Sequence, residues 1–307
     1  MKTRTLALLL ASAVSASIAA AQTAVSKAST FDTPKQAADA LVAAASKNDR
    51  AALSAIFGPA GKDLLAEVGG ENAEALTTFA AKARENVVLV PEPGDPNTFT
   101  MEVGADGWPV PSPIVKSGGK WFFDAAIGER EIAARRIGID ELDAIALMRG
   151  YVEAQVDYAS ATRDGASLLQ YAQKGISSPG KHDGLCWKNA DGSFGGPAAE
   201  EVARVLWDGK SGKPEAYNGY YFRTLTAQGP AAPLGARNYM VDNALVGGFG
   251  LLAWPEKYGV TGVQTFVVNQ DGLVHQKDLG PHTATAAAAI KAYNPDKTWI
   301  VTDDEND

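Results

Sequence analysis

The amino-acid sequence predicts an α+β protein of two successive units: N-terminal helices plus a small antiparallel sheet, then a long helix packed on an antiparallel meander. Three observations carry this. Apolar residues recur at helical spacing up to about residue 87 and then alternate at Phe99, Met101 and Val103. The same order returns further along, with a long helical stretch from Glu129 and a strand-only pattern after Gly219. Helices and strands are therefore grouped rather than interleaved, which argues against the alternating units that build a parallel sheet.

The first unit is expected over residues 32–128. Thr33-Pro34-Lys35-Gln36 opens a helix: Thr33 can accept from the Gln36 amide, Gln36 can reach back, and Pro34 sits where its missing N–H costs nothing. Ala38, Leu41, Val42 and Ala45 continue it at helical spacing. A second helix carries Leu53, Ile56 and Phe57 and stops at Gly58-Pro59. A third, Glu71 to Val87, places Ala73, Leu76, Phe79 and Ala83 on one face. Pro91, Pro93, Gly94 and Pro96 then break the chain. Phe99 to Val103 reads as a half-buried strand, and Pro109–Val115 and Lys120–Asp124 flank a hairpin turn at Ser117-Gly118-Gly119.

The second unit is expected over 129–302. Its helix runs from Glu129 to Gln173 with Leu142, Ile145, Met148, Val152, Val156 and Ala159 in one stripe, interrupted at Gly138 and at 163–166. Residues 177–197 read as a Gly-rich loop and Pro197–Trp207 as a short helix. Strands follow at Tyr220–Ala227, Asn238–Val241, Phe249–Trp254, Gln264–Val268 and Leu273–Lys277. The last two enclose Asn269-Gln270-Asp271-Gly272, a hairpin turn with Gly where a positive φ is needed.

The N-terminus reads as a signal peptide over residues 1–21. Lys2 and Arg4 precede an apolar stretch from Leu6 to Ile18, which closes on Ala19-Ala20-Ala21. That stretch is too short and too rich in Ala and Ser for a membrane span. A flexible lead-in over 22–31 and a disordered acidic tail over 303–307 bracket the two units. Removal of the leader leaves 26 basic against 36 acidic residues, a net charge of −10. An acidic chain without a basic stripe argues against nucleic acid and against anionic lipid surfaces. No later segment is apolar enough to span a bilayer, so the expected product is periplasmic or secreted, with no membrane insertion after cleavage. The single cysteine, Cys186, excludes an intrachain disulfide.

Several runs carry a resemblance. Glu131-Ile132 with Arg135-Arg136-Ile137-Gly138, Ser178-Pro179-Gly180 with Asp183-Gly184-Leu185, and Gly219-Tyr220-Tyr221-Phe222-Arg223 are three of them. Thr265 to Gly272 with Lys277-Asp278-Leu279-Gly280 is the fourth. Together they resemble the secreted bacterial family known as domain of unknown function 2950, across essentially the whole mature chain. The resemblance implies secretion but no activity, and it implies an aromatic at the position Cys186 occupies. The second unit is also similar, more weakly, to the globular heads of type IV pilins and pseudopilins. Its helix lies mid-chain and lacks the apolar segment that packs a pilus core, so a pilus role is not implied.

The sharpest catalytic arrangement is a thiol. Cys186 precedes His275 and His282, with Asn269 and Asp278 near them in sequence and His182-Asp183 just upstream. A nucleophile needs a base in reach and a lowered pKa, and Cys186 lacks a helix-start context. The three histidines lack metal-ligand spacing, and Asn269, Asp271 and Asp278 fall short of the six or more oxygens calcium takes. No cofactor and no metal are expected. Aromatics near Gly-rich loops offer binding residues: Asp183, Trp187, Tyr220, Tyr221 and Trp254 for a glycan or extended peptide, with core packing as the competing explanation. The expected function is thus a non-enzymatic envelope protein that binds or scaffolds an envelope partner. The alternative is a periplasmic or secreted hydrolase acting on peptidoglycan or another polymer.

Overall fold

A computed structural model describes residues 28–59, 61–67, 73–210 and 212–302. The expected signal peptide at 1–21, most of the lead-in, and the tail at 303–307 lie outside the described residues. The chain divides into two compact units between Ala134 and Arg135, and the architecture is α+β.

In the first unit α1 (Pro34–Ser46) starts as its residues dictate. Thr33 Oγ1 accepts from the Gln36 amide at 3.2 Å, while the Gln36 side chain accepts from the Asp32 amide at 2.9 Å. Asp49 caps α2 (Arg50–Phe57) by accepting from Ala52 N at 3.0 Å. The helices α3 (Gly61–Glu67) and α4 (Ala73–Glu85) follow. Five strands then form one antiparallel sheet: β1 (Val87–Glu92), β2 (Asp95–Val103), β3 (Trp108–Pro109), β4 (Ile114–Ser117) and β5 (Lys120–Phe123). Their order is β1-β2-β4-β5, with β3 also on β2. Leu41, Leu53 and Phe57 from the helices meet Met101, Ile114 and Phe123 from the sheet, and the Phe57 and Phe123 rings lie 5.3 Å apart.

Four expectations for this unit change. Helix α4 ends at Glu85, and the proline-containing stretch behind it is β1 rather than a break. Pro91 is tolerated there because β1 is an edge strand, and the pairing shifts between Pro91 and Glu92. Residues 110–113, expected within a strand, lie between β3 and β4. Ser29 and Phe31, expected in the flexible lead-in, are tied down by Ser29 N to Ala55 O and by paired Phe31–Trp121 bonds, each 2.8 Å.

Helix α5 (Ala125–Tyr158) begins before the division and runs on into the second unit, with Gly138 inside it. The expected stripe is rotated. Leu142 and Val156 are exposed, and the buried face is Ala144, Ile145, Leu147, Met148, Tyr151, Ala154 and Tyr158. Tyrosine rings bring more apolar area than valines, and Tyr151 buries its ring edge-on to Phe249 at 5.5 Å with its hydroxyl bonded to Gln155. Gln155, also on that face, exchanges two bonds with the Ala172 backbone, at 2.9 and 2.8 Å. The segment after Tyr158 therefore docks as a strand-like edge instead of continuing as helix to Gln173.

The expected loop at 177–197 contains strands. β6 (Lys174–Ile176), β7 (Gly184–Lys188) and β8 (Phe194–Gly195) form a small sheet. After α6 (Glu200–Val205) come β9 (Leu206–Trp207), β10 (Tyr220–Leu225), β11 (Ala227–Gln228), β12 (Arg237–Asn238), β13 (Met240–Val241), β14 (Ala244–Leu245), β15 (Gly250–Pro255), β16 (Gln264–Asn269) and β17 (His275–Asp278). α7 (Thr283–Ala289) and β18 (Ile300–Val301) complete the unit. The main sheet has the order β18-β17-β16-β15-β10-β9, antiparallel except where β9 meets β10. It is buried on both sides along β15. One face gives Tyr220, Phe222, Leu251, Ala253 and Phe266 to the α5 core; the other gives Leu252, Trp254 and Val267 to a core with Ala287 and Tyr293. The expected hairpin at Asn269–Gly272 joins β16 to β17, with Gly272 at φ 79° and its amide donating to Asn269 O at 3.0 Å.

Candidate functional site

The five residues singled out from the sequence do not share one surface. Tyr220 and Tyr221 are neighbours on β10, so their side chains leave opposite faces of the sheet. Tyr220 is buried in the α5 core and its hydroxyl donates to Gln264 O at 2.8 Å. Burial, then the nearby Glu141 and Asp140, push that phenol well above its ordinary range. Tyr221 packs against Trp254 at 5.6 Å on the other side, and Trp254 is itself buried beneath the Arg223 guanidinium. Asp183 immediately precedes β7 and Trp187 lies within it, but their side chains engage different partners.

Trp187 sits on β7, half-buried, and its ring orders a small polar cluster. The Arg163 guanidinium lies 5.2 Å from the Trp187 ring centre and 4.7 Å from that of Tyr158, the last residue of α5. The His182 ring meets Trp187 edge-on at 4.8 Å. Tyr158 donates its hydroxyl to His182 O at 2.5 Å, which fixes the loop carrying the imidazole. Asp164 clamps the same residue from below: its Oδ2 accepts from His182 N at 2.7 Å and its Oδ1 lies 3.1 Å from Nδ1. Those two bonds hold the Asp164 carboxyl below its ordinary range. Asp183 turns away toward its own loop. It accepts from Ser178 N at 2.7 Å, from Ser178 Oγ at 3.0 Å and from Lys174 Nζ at 2.8 Å. Burial pushes the Asp183 carboxyl up, but the Lys174 and Ser178 donors together outweigh it and leave it low.

Both carboxylates in the cluster are therefore engaged, and neither pairs with Arg163. Among the described residues its guanidinium has no hydrogen-bond acceptor, and its Nε is buried without a partner. Two aromatic rings satisfy the cation through their π faces but take none of its five N–H donors. The arrangement presents a half-desolvated, rigid, planar donor to solvent, which suits an oxyanion of matching planarity. Trp187 is covered by Arg163 and His182 and holds the arginine in place. Arg163 and Asp164 were read from the sequence only as a helix interruption; a cation's missing partner is a property of three-dimensional neighbours and leaves no mark in spacing.

The thiol arrangement does not assemble. Cys186 is buried, and burial, followed by Glu200, raises its thiol above the ordinary range. His182 is held by Asp164 rather than by Asp183, and among the described residues no hydrogen bond joins a histidine to Cys186. In the hairpin, Asn269 and Asp271 bond each other at 3.1 Å in both directions, and Asp278 accepts from Gly280 N and Tyr258 Oη. Among the described residues no group of three or more His, Cys, Asp or Glu side chains is placed to hold a metal ion. No described helix is long and apolar enough to cross a membrane.

A family model described as "Protein of unknown function (DUF2950)" matches residues 28–302. No curated protein and no solved structure matches the chain.

Proposed function

The chain belongs to the DUF2950 family, whose description assigns no activity, and from that premise we propose that it is an exported, non-enzymatic envelope protein that binds a carboxylate-bearing ligand, glycan or peptide, through Arg163. The observation that carries this reading is the guanidinium of Arg163, stacked between Tyr158 and Trp187 and left without an acceptor. Ring stacking removes part of its hydration and fixes its plane, so an incoming carboxylate loses less entropy in pairing with it. The exposed edge of His182 lies beside it and supplies a second polar contact. Export rests on the leader-like residues 1–21, and a binding role rather than turnover is supported by the buried, high-pKa thiol of Cys186.

The test is calorimetric titration of the secreted chain with trigalacturonate and with a tri-glutamate peptide, each against a neutral counterpart. One of the two acids should bind and its neutral counterpart should not. Arg163→Ala should weaken binding by at least about tenfold, as loss of a charge-assisted bidentate pair requires. Arg163→Lys should fail to restore it, because an ammonium has neither the fork nor the stacking plane. Binding of neither acid, or binding unchanged in Arg163→Ala, would overturn the reading. Intact mass of the secreted chain should begin at Gln22.

A further inference from the structure

The imidazole of His182 is held in one orientation beside the Arg163 guanidinium. Asp164 accepts from His182 N at 2.7 Å through Oδ2 and meets Nδ1 at 3.1 Å through Oδ1. Those two bonds keep the Asp164 carboxyl below its ordinary range, so at neutral pH it is ionised and can only accept. Nδ1 therefore carries the hydrogen, and in the neutral ring Nε2 is left as an outward lone pair. Among the described residues no hydrogen bond reaches Nε2, and the side chain is 47% exposed. The two groups share one support. The imidazole centre lies 4.8 Å and the guanidinium carbon 5.2 Å from the centre of the Trp187 ring. They are thus at most about 10 Å apart, on the order of one Debye length at 0.1 M salt. At neutral pH an arriving oxyanion meets the donors of Arg163 beside a ring nitrogen that only accepts. Protonation turns that nitrogen into a donor and adds a positive charge.

We propose that His182 makes the Arg163 site a pH-dependent anion trap, which takes carboxylates more tightly as pH falls through the imidazole range and releases them as it rises. This rests on the Arg163 reading and adds its regulation. The groups around the imidazole keep their charge in that window. Asp164 is held low by His182, and Asp183 is held low by Lys174 and Ser178, whose donors outweigh its burial. Both carboxylates stay ionised. Tyr158 of α5, which donates to His182 O, is raised above the ordinary phenol range by burial and stays neutral. Lys174 remains paired with Asp183, and arginine and lysine side chains do not discharge between pH 5 and 8. Of these groups the imidazole alone changes charge there.

The experiment titrates the full secreted chain with trigalacturonate and with tri-glutamate at about pH 8 and about pH 5.5, where the ligand carboxylates remain ionised. The acid that binds should bind about fivefold tighter or more at the lower pH, the order expected for one added charge at this separation. By reciprocity the His182 Cε1 proton should titrate about 0.7 pH unit higher with ligand bound, the logarithm of that ratio. His182→Gln, which also identifies the resonance, should bring the two affinities to within about twofold of each other. His282→Gln should leave the fivefold ratio in place. Equal affinity at the two pH values, or a ratio unchanged in His182→Gln, overturns the proposal and leaves the Arg163 reading standing. If His182→Gln does not fold, the wild-type resonance decides: a midpoint that ligand does not move overturns the proposal. Binding of neither acid at either pH overturns both.

Discussion

At the scale of single residues, Asp183 and Cys186 show how environment decides what a side chain can do. Asp183 has a folded pKa below its ordinary 3.8, so below that pH the unfolded chain binds the proton more readily. Its stabilisation is complete above the ordinary carboxyl range and drains away as pH falls through the lower folded value. Asp183→Asn should therefore cost on the order of 1 kcal/mol at pH 7, no more because the side chain is 32% exposed. Near pH 2 the two proteins should melt alike, and an equal deficit at both pH values would refute the assignment. Cys186 is the opposite case: burial lifts its thiol, so less thiolate exists at neutral pH. Iodoacetamide at pH 8 should modify the folded chain at least about tenfold more slowly than free cysteine, and guanidinium should abolish the protection. The sequence made Cys186 visible as the single thiol ahead of two histidines, and Asp183 and Trp187 visible as candidate binding residues near Gly-rich loops. It could not show that Asp183 is spent on Lys174 and Ser178, or that Arg163 is the group left over, since those facts depend on chain segments brought together by the fold.

At the scale of elements, the signals that read correctly are local ones. Thr33, Pro34 and Gln36 state a helix start within four residues, and Asn269 to Gly272 state a turn within four. The signals that misled compare distant alternatives. Nothing in Val87–Glu92 says that it will lie at an edge, where Pro91 does no harm, and nothing in α5 ranks Tyr151 and Tyr158 above Leu142 and Val156 until Phe249 and Gln155 are in place. Glycines separate the same two kinds of cause. Gly272 has φ 79° with no atom within 4 Å of an added Cβ, so Gly272→Ala should cost about 1 kcal/mol of backbone strain only. At Gly175 on β6 the added Cβ would lie 1.9 Å from Ala203 O of α6, so Gly175→Ala must push β6 off the helix and should cost about 3 kcal/mol or more. Chemical denaturation of both variants checks the ranking, and equal losses would contradict it.

At the scale of the whole molecule, the two units keep separate cores. The core of the first is drawn from residues up to Ala125, with Ile132 packed at its side; the two cores of the second draw only on residues from Ala144 onward. Among the described residues each core is built from its own stretch of sequence, so the apolar burial that stabilises each is contained there. Polar fastenings within the second unit add to this. Glu141 accepts from Val263 N and Gln264 N at 2.8 and 2.9 Å, and Asn218 donates to Asp143 at 2.7 Å, which pins the middle of α5 to the β10 and β16 ends of its own unit. The fragment 125–302, which keeps α5 whole, should therefore fold alone. Its thermal unfolding should be a single cooperative transition, and its backbone amide spectrum should overlay that of the intact chain for residues beyond Ala144. Helix α5 needs this packing, because its first turns have no partner in the fragment and its exposed Ile139 and Leu142 contribute nothing inward. Glu141→Ala in the fragment removes two backbone bonds to a carboxylate, so it should cost about 2–4 kcal/mol of stability and lower the midpoint accordingly. A fragment that melts without cooperativity, or whose amide spectrum collapses, would show that the second unit depends on the first for more than its chain connection.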